Sequence, residues 1–100
     1  MTNEQKIKEV LDMYNQMAEH GDFHFHSFEV YKNDLINDEI IKVKYTFKKD
    51  GISEYVEKTY LIFDGKAKNL NQVLPDKKEQ QEFVSQFEKV KFDCGGIIFN

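Results

Sequence analysis

The chain has 100 residues, 40% of them hydrophobic and 14% aromatic, with a formal net charge of −4 at pH 7. That is one domain's worth of chain, long enough to bury roughly 65% of its unfolded surface around a single modest core. Five Gly and one Pro exclude a fibrous or proline-rich chain, and no apolar run is long enough to span a bilayer.

All fourteen basic residues are lysine, and tryptophan is missing too. Arginine forks bidentate onto phosphate, carboxylate and guanine edges, so chemistry that depends on that fork is excluded. Cys94 is the single cysteine; it excludes an internal disulfide and a thiolate-rich metal site. The N-terminal stretch MTNEQKIKEV is not a basic segment followed by an apolar one, so export is not expected and a cytoplasmic location is.

Residues 2–20 predict a helix. Thr2 and Gln5 have capping-box spacing, and Ile7, Val10, Leu11, Tyr14, Met17 and Ala18 recur on one stripe. Gly21 ends it, with His20 in the last turn. At Phe23 the period changes to two. Phe23 and Phe25 alternate with His24 and His26, but Phe28 and Val30 fall on the other parity, which predicts a bulge near Ser27 in a strand running to Tyr31.

A turn-rich connection, 32–38, leads to a half-buried strand over Glu39–Lys48, where Ile41, Val43, Tyr45 and Phe47 alternate with Lys42, Lys44, Thr46 and Lys48. Asp50-Gly51 is hairpin chemistry. The third strand, Ser53–Phe63, is apolar on both parities: Tyr55, Leu61 and Phe63 against Val56, Tyr60 and Ile62. Such a strand is central, or one of its sides meets a partner. Asp64-Gly65 marks another turn, and the stretch to Leu74 reads as irregular. Pro75 and Asp76 open a second helix whose buried side holds Phe83, Val84, Phe87 and Val90. The tail, 91–100, reads as an edge strand or docked segment. The expected fold is a single α+β domain of order α-β-β-β-α(-β), an antiparallel sheet of three to four strands with two helices packed on one face.

Chemistry is sparse. His24 and His26 share a strand face and are the only metal-ligand candidates, with Asp22 and His20 nearby. A structural zinc needs four ligands, so no metal or other cofactor is expected, and the simpler arrangement turns the phenylalanines inward and the histidines outward. Cys94, flanked by Gly95 and Gly96, has the setting of a nucleophile on a tight turn, but no base is placed beside it by the sequence. Glu39, Glu54 and Glu57 are not spaced as an acid–base pair. Asp34 and Asp38 lack the calcium-loop pattern. The domain is therefore expected not to be an enzyme; a small metal- or cysteine-dependent enzyme using His24, His26 and Cys94 is the alternative.

The element order is also that of the double-stranded-RNA-binding domain. Those domains grip phosphate with a basic cluster opening the second helix, whereas here that stretch is Asp76-Lys77-Lys78-Glu79-Gln80-Gln81-Glu82. Direct nucleic-acid binding is not the expectation, and an RNA-binding domain using the lysine row is a further alternative. The size, acidity and element order resemble one architecture among small acidic phage proteins that inhibit CRISPR nucleases. That resemblance implies a stoichiometric inhibitor or adaptor whose partner is a protein, such as a nuclease or another nucleic-acid-handling protein. The expected binding residues are Lys42, Lys44, Lys48, Tyr55, Glu57 and Thr59, on a sheet face left open by the helices. Homodimerisation competes for the same face, and no membrane partner is expected.

Overall fold

The computed structural model describes residues 1–91. Helix α1 (Asn3–Met17) is followed by strands β1 (Phe23–Lys32), β2 (Glu39–Lys49), β3 (Ile52–Phe63) and β4 (Lys66–Asn69), a single-turn helix α2 (Leu70–Val73), helix α3 (Lys77–Val84) and a short strand β5 (Glu88–Val90). The strands form one antiparallel sheet in the order β4-β3-β2-β1-β5.

Local chemistry sets most of these boundaries. The Thr2 hydroxyl accepts the Gln5 N–H, and the Gln5 side chain accepts the Thr2 N–H, so two of the amides that α1 leaves without helical partners are satisfied reciprocally. Asp76 caps α3 by accepting from the Lys78 N–H. Both two-residue hairpins are Asp-Gly: φ is +54° at Asp50 and +79° at Gly51, and +50° at Asp64 and +70° at Gly65. Two successive positive φ values match the twist of the flanking strands, and Gly accepts them without a Cβ penalty. The bulge in β1 falls where the change of parity places it. Phe25 pairs with Tyr45 and Ser27 with Lys44, leaving His26 as the extra residue. Phe23, Phe25, Phe28 and Val30 thereby all serve one face.

That face is covered by α1. Ile7, Val10, Leu11 and Tyr14 pack onto Val30, Ile41, Val43, Tyr45 and Ile62, with Phe23, Phe25, Tyr60 and Val90 at the margin. A second core lies on the opposite face. Ile40, Leu61, Leu70 and Phe87 form it, flanked by Tyr31, Phe63, Leu74, Phe83 and Val84. Ile40 and Ile41 are neighbours in sequence, are both fully buried, and point to opposite sides.

The α+β class and the antiparallel sheet stand, and the sheet is five-stranded among the described residues. The expected packing of two helices on one face is corrected: α1 lies on one side and the α2–α3 segment on the other. The cause is the apolar character of β3 on both parities. Tyr60 and Ile62 are taken by α1, Leu61 and Phe63 by the second core, so the two-sided strand is satisfied within the chain. Met17, expected in the core, is 39% exposed at the end of α1.

Candidate functional site

The α2–α3 segment covers only one end of the second face. Toward the β2–β3 hairpin that face is bare among the described residues, and the strand register arrays its side chains in rows. Lys42 stands opposite Thr59, Lys44 opposite Glu57, Thr46 opposite Tyr55 and Lys48 opposite Ser53. The six residues expected to bind a partner, Lys42, Lys44, Lys48, Tyr55, Glu57 and Thr59, are therefore brought onto one side of two neighbouring strands. Tyr55 is 62% exposed and is the large apolar side chain that this surface presents to solvent.

β1 extends the rows. His24 stands opposite Thr46, and His26, the bulged residue, is hydrogen-bonded through Nε2 to the Thr46 hydroxyl. The two imidazoles lie edge to face with centroids 4.6 Å apart, and the His26 ring is 5.8 Å from that of Tyr55. The phenylalanines of the alternating pair face α1 while the histidines are exposed, as the simpler arrangement has it. Among the described residues no group of three or more His, Cys, Asp or Glu is placed to hold a metal ion. Cys94 lies outside the described residues.

The lysine row is less free than its alternation suggests. Lys42 Nζ sits 5.2 Å from the centroid of the Tyr31 ring, a cation–π contact. Lys44 Nζ is 3.7 Å from Glu29, whose other carboxylate oxygen accepts from Lys89 Nζ at 2.9 Å. That hydrogen bond from Lys89 holds the Glu29 carboxyl below its ordinary range, against the opposing effect of partial burial; Lys89 is raised in turn by the same bond. Burial and the neighbouring Glu29 charge push the Tyr31 phenol up. Glu29 thus ties β1 to β2 and β5.

Sequence reasoning missed Glu29 and Lys89. The bulge carries the signal for Glu29: once Phe28 is turned toward α1, its neighbour faces the lysines. Nothing comparable marks Lys89, which depends on a three-residue strand.

Between the open rows and α3 lies a cleft of about 310 Å³ lined by Lys42, Glu57, Thr59, Leu70, Gln80, Gln81, Val84 and Ser85. Its volume is at the lower end for small-molecule sites. Two of its polar groups are already engaged: the Gln80 amide donates to Asn71 and to the Leu74 carbonyl, and the Ser85 hydroxyl to the Glu82 carbonyl.

The acidic candidates do not converge. Glu57 is on the open face, whereas Glu39 and Glu54 pair with Ile62 and Phe47, at opposite ends of the other face. Glu39 lines a separate cleft of about 360 Å³ with Glu4, Asp38 and Lys32. Burial pushes its carboxyl up, and Lys32 pulls it back. None of the described helices is long and apolar enough to cross a membrane. Compared with known proteins, the chain matches no family model, no curated protein and no solved structure.

Proposed function

We propose that this domain is a non-catalytic, cytoplasmic protein-binding module that acts stoichiometrically, as an inhibitor or adaptor, through the open half of its second sheet face. The observation that carries the reading is the exposed Tyr55 ring set among Lys44, Lys48, Glu57, Thr46 and the two histidines on a rigid sheet surface. A tyrosine presented on fixed backbone gives contact area at small entropic cost, and its polar border excludes water and sets register. The apolar residues Leu61 and Phe63 of β3 add nothing to this surface, because they belong to the second core. The face is accordingly a polar interface with one aromatic anchor.

A protein partner is favoured over nucleic acid by the state of the lysines. Lys42 and Lys44 are committed to Tyr31 and Glu29, and binding phosphate would require giving up those contacts. Within the protein class, a nuclease or another nucleic-acid-handling protein is the narrower proposal, and it rests on size, acidity and element order.

Affinity capture from the native host with wild-type, Tyr55→Ala and Asp12→Ala baits tests the reading, Asp12 lying on the outer side of α1. The expected result is a stoichiometric partner lost with Tyr55→Ala, retained with Asp12→Ala, and no change in melting temperature for Tyr55→Ala. A melting temperature that falls while the partner is kept would mean that Tyr55 supports the fold, and the proposed face is then wrong. Light scattering that gives a dimer sensitive to Tyr55→Ala would assign the face to self-association.

A further inference from the structure

We propose that His24 and His26 form a two-imidazole binding site for a divalent transition-metal ion of the copper–zinc class. The two side chains lie on one side of β1 because they stand two residues apart on the strand, and their ring centroids are 4.6 Å apart at an interplanar angle of 70°. Two imidazoles bound to one ion, each with a metal–nitrogen distance of about 2.0–2.1 Å and a near-tetrahedral angle between them, have centroids about 5 Å apart. The centroid spacing of the pair is close to the one that a shared ion imposes. Imidazole nitrogen selects copper, nickel and zinc over magnesium or calcium.

Thr46 supplies the outer support that such histidines use. Its hydroxyl is hydrogen-bonded to His26 Nε2. When that oxygen accepts the Nε2–H, the lone pair is left on Nδ1 and the ring is fixed in orientation, the role an acceptor plays behind a metal-binding histidine. The Tyr55 ring centroid is 5.8 Å from that of His26, and both histidines are exposed, so an ion reaches them without any opening of the fold.

Among the described residues no third His, Cys, Asp or Glu joins the pair. Two protein ligands leave at least two positions of a tetrahedral ion to water or to a donor on an incoming molecule. The site is therefore weak in the isolated chain, and a docked molecule bearing a histidine or carboxylate would complete it. The chelating pair stands on its own geometry; its failure would leave the docking reading intact.

Calorimetric titration of the full chain with zinc chloride, in a buffer that does not bind metal, tests the site. The expected result is one ion per chain for the wild type and for Cys94→Ser. His24→Asn and His26→Asn each weaken binding by about tenfold or more, because the second imidazole acts at high effective concentration. Thr46→Val weakens it less than either, and Thr46→Ser restores it. Thermal melts of the variants establish that the fold is kept. No uptake by the wild type, unchanged affinity in both histidine variants, or loss with Cys94→Ser would each overturn the proposal.

Discussion

Tyr14 carries its hydroxyl into the α1 core, where the Tyr60 hydroxyl is its partner at 2.7 Å and burial pushes its phenol pKa well above the ordinary range. The ring itself is 2% exposed, within 6.0 Å of Phe23, Phe25 and Tyr45 by centroid. Removing one hydroxyl strands the other where water does not reach it. Tyr60→Phe should therefore cost about 1–3 kcal/mol in a urea unfolding experiment. The double replacement Tyr14→Phe/Tyr60→Phe should cost less than the sum of the singles, since two apolar rings leave nothing unsatisfied.

Glu39 is the complementary case at the surface. Its carboxyl is raised from an ordinary value of 4.5, chiefly by burial. A carboxyl whose pKa rises on folding destabilises the fold once it ionises, so the cost is absent in acid and complete above the folded pKa. Glu39→Gln should then raise the melting temperature at neutral pH, with the gain fading as the pH falls through the raised folded value and gone below the ordinary carboxylate value. Glu29, held low by Lys89, acts with the opposite sign: its contribution is present above the ordinary value and lost as acid protonates it. A pH series on Glu39→Gln and Glu29→Gln, read by melting temperature, separates the two.

At the scale of elements, periodic stretches were legible and short ones were not. The helix expected over 2–20 is Asn3–Met17, and the three long strands begin and end within a residue of their expected limits. These elements carry repeated apolar positions and defined caps or turns. β4 and α2 do not: Lys66–Asn69 has one apolar side chain, and Leu70–Val73 is a single turn. Both are held by pairing to β3 and by the burial of Leu70, which are tertiary effects. The apolar side read along α3 proved discontinuous, since the helix stops at Val84, Phe87 lies beyond it and Val90 is in β5. Phe87 serves the second core and Val90 the first. The anchoring of α1 on one core makes a simple prediction. Leu11 is fully buried, so Leu11→Ala should cost about 2–5 kcal/mol, measured by chemical unfolding.

At the scale of the whole molecule, the six expected binding residues were correctly gathered because strand parity is reliable once two strands pair. What the sequence withheld was the cover on that face. It cannot state which side of a sheet a later helix crosses to, and so the two-sided β3 left open a central strand or a partner-facing side, where the structure places Leu61 and Phe63 in a second core. The molecule measures 44 × 33 × 22 Å with a radius of gyration of 14.0 Å, a little above the roughly 13 Å typical of this length. That elongation fits a sheet whose long central strands outrun the α2–α3 cover, leaving the rows around Tyr55 bare among the described residues.

The two Asp-Gly hairpins have a consequence for how the chain reaches this state. β2, β3 and β4 are joined by turns of two residues, so their pairing closes only small loops. α1 makes contacts across the chain instead: Tyr14 to Tyr60 is a separation of 46 residues, and Asn3 to Gly65 one of 62. Loop closure of that span is entropically slow relative to a hairpin. The meander therefore assembles early and α1 seats late, with the Asn3 side chain joining the Asn37 carbonyl to the Gly65 N–H as the final latch. Between those two events the side of the meander destined for α1 is uncovered. In that interval Ile41, Val43 and Ile62 face water, and transiently exposed apolar surface of this kind is where chains associate with one another.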